Sequence, residues 1–78
     1  MKAVTLYYAQ DCSLCEDARV QLERLQTEVS FELEEIDITG VPELEARYRE
    51  WLPVVEVDGE RAFVYRIDEA ELLQRLAG

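Results

Sequence analysis

The chain has 78 residues, 49% of them apolar, and a formal net charge of −10 from 18 acidic and 8 basic side chains. That size and apolar share describe one small globular domain over residues 1–78, and the acidic excess disfavours nucleic acid and anionic membranes as partners. With no histidine in the chain, imidazole acid–base chemistry and histidine metal ligation are excluded.

The N-terminus carries Lys2 but no apolar run of the signal-peptide kind, and no stretch is long and apolar enough to span a bilayer. A reducing cytoplasm is the expected compartment, and there a cysteine pair serves catalysis or redox sensing more often than structure.

Residues 3–8 read as a strand, with Val4, Leu6 and Tyr8 on one face and Ala3, Thr5 and Tyr7 on the other. Tyr8 either packs in the core or edges the site that follows. Both cysteines come next, in Cys12-Ser13-Leu14-Cys15, at the junction between this strand and a helix-like run. A Cys-x-x-Cys at such a junction points to thiol–disulfide chemistry. The start of a helix supplies unpaired N–H groups and positive dipole charge, both of which favour a thiolate. The i, i+3 spacing puts the two sulfurs on one side of the first turn, close enough to bridge. Such a bridge closes too small a loop to act as a staple, which raises the weight of a chemical role.

Asp11 is the expected cap of the helix, which runs to about Gln26 with Cys15, Ala18, Leu22 and Leu25 as its inner stripe. Residues 31–38 read as a second strand. Its alternation breaks at Glu34-Glu35, which implies a bulge or an exposed edge, and Glu32, Glu34 and Glu35 read as a wet edge that discourages aggregation. Thr39-Gly40-Val41-Pro42 breaks the chain, Pro42 suits a first helical position, and Leu44, Tyr48 and Trp51 form a short helical stripe. Trp51 either closes the core or lines a groove beside Pro53. Arg47 and Arg49 read as solvated partners of Glu43, Glu45 and Glu50. Leu52-Pro53 ends that helix. Val54–Val57 and Arg61–Tyr65 are strands joined through Asp58-Gly59, a strong hairpin signal. Asp68 and Glu71 form a capping-box variant ahead of a last helix with Leu72, Leu73 and Leu76 facing inward.

The order is β-α-β-α-β-β-α. The helix between the first two strands makes them parallel and the hairpin makes the last two antiparallel, so the expected α/β fold is a four-stranded mixed sheet with helices on both faces.

This order, with Cys-x-x-Cys after the first strand and a proline just before the third, resembles the thioredoxin superfamily. The short length and early motif are similar to a small glutaredoxin-like protein. Leu6 to Cys15 resembles the family's strand-plus-active-site segment, Leu52-Pro53-Val54 its cis-proline segment, and Asp58-Gly59 its hairpin turn. The resemblance covers essentially the whole chain and implies a thioredoxin-fold disulfide oxidoreductase acting in electron transport and cell redox homeostasis. It also implies a cis Leu52-Pro53 bond, with the Leu52 backbone turned toward the dithiol so that an extended substrate pairs with Leu52 and Pro53. Ser13-Leu14 stands where a typical glutaredoxin has Pro-Tyr, Ala9 where a basic residue is frequent, and Tyr65-Arg66-Ile67-Asp68 where a Gly-Gly pair enters the last helix. Those family features help bind glutathione. Asp68 matches an acidic position near bound glutathione, and capping accounts for it equally well.

The expected chemistry is reversible exchange. Cys12 attacks a target disulfide and Cys15 resolves the mixed disulfide. Asp11, Glu16 and Asp17 lie near Cys12 and make its thiolate milder than a basic-flanked one. No metal or tightly bound cofactor is expected, and glutathione enters as a possible co-substrate. The expected partners are a disulfide-bearing protein or low-molecular-weight thiol and a reductase or glutathione, with the protein itself a monomer. Two other readings stay open: a redox-inactive binding module of the same fold, and a metal or iron–sulfur carrier shared between two chains, since two thiolates alone cannot complete a zinc shell.

Overall fold

The structure, a computed structural model, describes residues 2–77. Its elements are β1 (Ala3–Tyr8), α1 (Ser13–Gln26), β2 (Glu32–Asp37), α2 (Pro42–Tyr48), a 3₁₀ turn (Arg49–Trp51), β3 (Val54–Val57), β4 (Glu60–Val64) and α3 (Glu69–Ala77). The strands form one sheet in the order β2-β1-β3-β4. β1 runs parallel to β2, from Ala3 opposite Glu32 to Tyr8 opposite Asp37, and antiparallel to β3, while β3 and β4 form the antiparallel hairpin. This is the expected thioredoxin-like arrangement of a mixed sheet and helices.

The period of two along each strand sorts side chains to two faces. Val4, Leu6, Val55 and Val57 meet Ala18, Leu22 and Leu25 of α1 and Leu72 of α3 in one buried cluster. Val54, one residue out of phase, joins Ile38 and Tyr48 on the face that α2 covers, with Tyr7 packed against them. Leu6, Leu22, Leu25 and Leu72 are fully buried, and each such side chain contributes roughly 1.5–3 kcal/mol over an exposed one. All four residues of the expected α1 stripe, Cys15, Ala18, Leu22 and Leu25, are buried.

Four expectations need correction or refinement. The helix cap is Cys12, whose sulfur accepts the Cys15 N–H at 3.2 Å; Asp11 sits one residue too early and turns its carboxylate to Arg49 instead. The broken alternation in β2 is an edge and not a bulge, because all six β1–β2 pairs are in continuous register and Glu32, Glu34 and Glu35 are exposed. Trp51 does not close the core: the helix tightens into a 3₁₀ turn after Tyr48 and the ring is 44% exposed. Leu73 is 38% exposed, since it falls off the stripe that Leu72 and Leu76 share on α3.

The hairpin turn matches its signal. Asp58 and Gly59 both have positive φ (52° and 85°), as a two-residue turn of this hand requires. Asp58 also accepts the Ala3 N–H at 2.9 Å, tying the turn to the start of β1. One bulge lies in the hairpin, where the register shifts between Val55 and Glu56. Asp68 caps α3 by accepting the Glu71 N–H at 3.2 Å, and the Glu71 carboxylate pairs with Arg75.

Candidate functional site

β1 ends at Tyr8, and the chain must turn before α1 can begin at Ser13. Cys12 occupies the half-extended cap position (φ −126°, ψ 108°), and its carbonyl accepts the first intrahelical bond from Glu16 N–H at 3.2 Å. Cys15 sits one turn in, only 1% exposed. The two are joined as a disulfide with their Cα atoms 5.2 Å apart, so the i, i+3 spacing does bring the sulfurs together. Cys12 remains half-buried while its partner is walled in.

The third sequence-predicted feature reaches the same place. The Leu52-Pro53 bond is cis. Leu52 is buried in the cluster that holds Cys15, Ala9 and Tyr48, against which Cys12 packs, and Pro53 is fully buried. Cys12, Cys15 and Leu52 thus share one cluster, built from the start of α1 and the segment before β3, with Pro53 the next residue in the chain.

The loop before Cys12 is fastened to the β2–α2 connection. The Gln10 N–H donates to Thr39 Oγ1 at 3.3 Å, and the Gln10 amide donates to Asp37 at 2.8 Å. Hydrogen bonds from Thr39, its backbone N–H first, hold the Asp37 carboxyl below the usual carboxylate range. Arg49 donates to Asp11 at 3.0 Å and, through two nitrogens, to Glu45 Oε1 at 3.1 and 2.9 Å. The Arg49 hydrogen bond is the main reason the Asp11 carboxyl is held below its ordinary value. Glu45 is lowered as well, chiefly by the Gly40 N–H that donates to its other oxygen at 2.8 Å. Of the three carboxylates expected to oppose a thiolate at Cys12, Asp11 is therefore paired with Arg49 and Glu16 with Arg19. Arg49 does meet Glu45, as its spacing implied; its second partner, 38 residues away at Asp11, carried no local signal. Arg47 lies over the Tyr48 ring, 5.5 Å from its centroid.

A family model described as Glutaredoxin-like domain (DUF836) matches residues 3–77. The chain belongs to this family. An uncharacterized protein of Mycobacterium tuberculosis (strain H37Rv) is 33% identical over 79 residues, covering 95% of this chain and 81% of the relative, and a Mycobacterium bovis protein matches equally. Among solved structures, a Nitrosomonas europaea protein determined by NMR is similar at a TM-score of 0.78 with 28% identity, over 95% of this chain and 89% of that one. A Halobacterium salinarum thioredoxin mutant is similar in fold at a TM-score of 0.69 with 21% identity, over 96% and 71% of the two chains. The glutaredoxin-like thioredoxin fold and the bridged Cys12–Cys15 pair support a redox role.

Among the described residues, no group of three or more cysteine, aspartate or glutamate side chains is arranged to hold a metal ion, and no helix is long and apolar enough to cross a membrane. One feature escaped the sequence reading. Tyr65, the residue after β4, has φ +68°, a left-handed conformation that residues other than glycine adopt at a cost. Nothing in the local sequence marks it, since Tyr65-Arg66-Ile67-Asp68 contains no glycine.

Proposed function

We propose that the protein catalyses thiol–disulfide exchange, with Cys12 attacking and Cys15 resolving. The observation that carries this reading is the asymmetry of the pair: a half-buried sulfur at the helix cap beside a buried one within bridging distance. In the reduced protein the Cys12 thiolate accepts the backbone N–H that already points at its sulfur, and the helix dipole favours the anion. It attacks one sulfur of a substrate disulfide, forming a mixed disulfide, and the other substrate sulfur leaves as a thiolate and takes up a proton. Cys15, deprotonated, then attacks Cys12 Sγ. The second substrate thiolate departs, and the Cys12–Cys15 bridge forms. Two electrons pass from the protein to the substrate. A low-molecular-weight thiol such as glutathione, or the dithiol of a reductase, returns them in a reducing compartment such as the cytoplasm. Leu52 offers backbone to an extended substrate as an added strand would, beside Pro53, whose own carbonyl is taken by the Tyr65 N–H. No resident metal or cofactor takes part.

A Cys15→Ser variant tests this. Without the resolving thiol, Cys12-linked mixed disulfides with cell proteins or glutathione accumulate and are detected by mass, and a Cys12→Ser/Cys15→Ser control collects none. Absence of such adducts, with a partner still co-purifying, would instead identify a docking module without turnover. Colour in freshly purified protein would identify a shared cluster.

A further inference from the structure

Tyr65 is held in its left-handed conformation by bonds on every side. Its N–H donates to the Pro53 carbonyl at 3.0 Å, the following Arg66 N–H donates back to the Val64 carbonyl at 2.7 Å to close a three-residue turn, and its hydroxyl donates to the Glu50 carbonyl at 2.9 Å. Positive-φ turns of this kind are rare and strained outside glycine. Burial of the ring does not offset that strain, since the residue is 44% exposed. Strained backbone of this sort clusters at sites that bind or react.

The position of the ring says what it is for. Tyr65 lies 6.3 Å, centroid to centroid, from Trp51, which is equally exposed and directly precedes the Leu52-Pro53 segment. On its other side Tyr65 lines a groove of ≈280 Å³ with Leu14, the residue between the two cysteines and itself 39% exposed, and with Ile67, while Asp17, Gln21 and Arg66 make the rest of that groove polar. Leu14 stands between the cysteines, Tyr65 is bonded to Pro53 and Trp51 precedes Leu52, so the three put exposed apolar surface on the segments that carry the site, on a chain whose other exposed large apolar residues are only Val20, Val41 and Leu73 among those described. Aromatic side chains of this kind supply contact area with little entropy to lose. The chain carries a net charge of −10, so long-range attraction favours a net-basic partner.

We infer that Tyr65 and Trp51 are specificity residues of the exchange reaction, seating an apolar side chain next to the target cysteine of a net-basic polypeptide disulfide. This rests on the exchange reading above and adds what the site selects. The electrons move as already described; the two rings take no part in bond making and set only which disulfide is presented to Cys12.

The test measures kcat/KM in the reduced, dithiothreitol-recycled protein against two lysine-rich peptide disulfides, one with leucine beside its cysteine and one with serine there. The wild type is expected to prefer the leucine peptide by about tenfold or more, the scale of an apolar contact in an enzyme site. Tyr65→Gly, which relaxes the backbone and deletes the ring, and Trp51→Ala each bring the ratio toward one; Tyr65→Phe keeps it. A ratio does not move when a variant is merely less folded, and Trp51→Ala, at an exposed ring, carries the test should Tyr65→Gly fail to fold. No leucine preference in the wild type, or a preference that survives both ring deletions, overturns the inference while leaving exchange intact. A glutamate-rich counterpart of the leucine peptide should react more slowly at low salt, with the gap closing as ionic strength rises; equal turnover would overturn the basic partner. A wild type that reduces neither peptide nor bis(2-hydroxyethyl) disulfide would bring down the exchange reading, and this inference with it.

Discussion

On one side of the sheet, Leu22 and Leu25 of α1 meet Val4, Leu6, Val55, Phe63 and Leu72 in a cluster whose buried members are all apolar. In a second cluster, Cys15 from the first turn of α1 packs with Tyr48 of α2, Leu52 and Val54, and the loop before Cys12 is held by Gln10, Asp11, Arg49 and Thr39. The first cluster is made by the middles of helices and strands, and the second largely by their ends: a cap, a 3₁₀ turn, a proline segment. Middles present regular stripes and supply burial. Ends leave backbone groups unpaired, and those groups are what a thiolate or a substrate strand can use. The difference divides labour: the aliphatic side holds the fold, while the α2 side and its loop hold the chemistry. Three perturbations, taken from the largest effect to the smallest, break or sharpen that division.

The largest falls on the aliphatic side. Leu22→Ala removes a fully buried side chain and should cost about 2–5 kcal/mol in unfolding by urea. If the two sides divide labour as described, the variant that remains folded keeps the wild-type pH profile of Cys12 alkylation. A profile displaced along with stability would mean that the cluster also tunes the sulfur, and the comparison would fail.

This side was also the legible one. Cys15, Ala18, Leu22 and Leu25 could be marked as inward from spacing alone, and all are buried, because a helix middle exposes its period directly in the sequence. Asp58-Gly59 was legible for a similar reason: the turn needs positive φ at two adjacent positions, and few residue pairs supply it. Errors and omissions gather at ends. Asp11 read as a cap by residue type, but the cap lies one residue later, on a cysteine. Trp51 continued a helical stripe on paper, yet the chain tightens at Arg49 and carries the ring outward. Neither the Asp11–Arg49 bond nor the Tyr65 turn has a local pattern, since each is imposed by a partner far along the chain.

The second perturbation probes the α2 side for stability. Tyr7 stacks on Tyr48 with centroids 4.1 Å apart. Its phenol is pushed up from 10.0 to about 12, by burial first and then by the neighbouring Tyr48 hydroxyl and the nearby Glu56 charge. The folded state therefore favours the neutral phenol more than the unfolded chain does. The resulting stability is fully present below pH 10 and is lost as pH rises toward 12. Across that window the loss should be on the order of 2 kcal/mol, read as a falling urea midpoint. Tyr7→Phe should flatten this alkaline slope, with Cys12 reactivity near neutral pH unchanged. A slope that persists would remove Tyr7 as its source and leave the α2 side with a smaller part in stability.

The smallest effect sits closest to the chemistry. Arg49 neutralises Asp11 one residue before Cys12, so Arg49→Gln should leave an uncompensated carboxylate beside the sulfur and disfavour the thiolate. The pair is solvent-exposed, so screening keeps the change to a small rise in the apparent pKa of Cys12 alkylation, shrinking with salt. Charge and position can be separated, because Arg49 also fastens the loop to α2 through Glu45. Asp11→Asn in the Arg49→Gln background removes the loose charge without restoring the tie. A pKa that returns to the wild-type value assigns the effect to charge alone; one that stays raised assigns it to the tether, so that the loop's anchorage, as well as its charge balance, sets how readily Cys12 ionises.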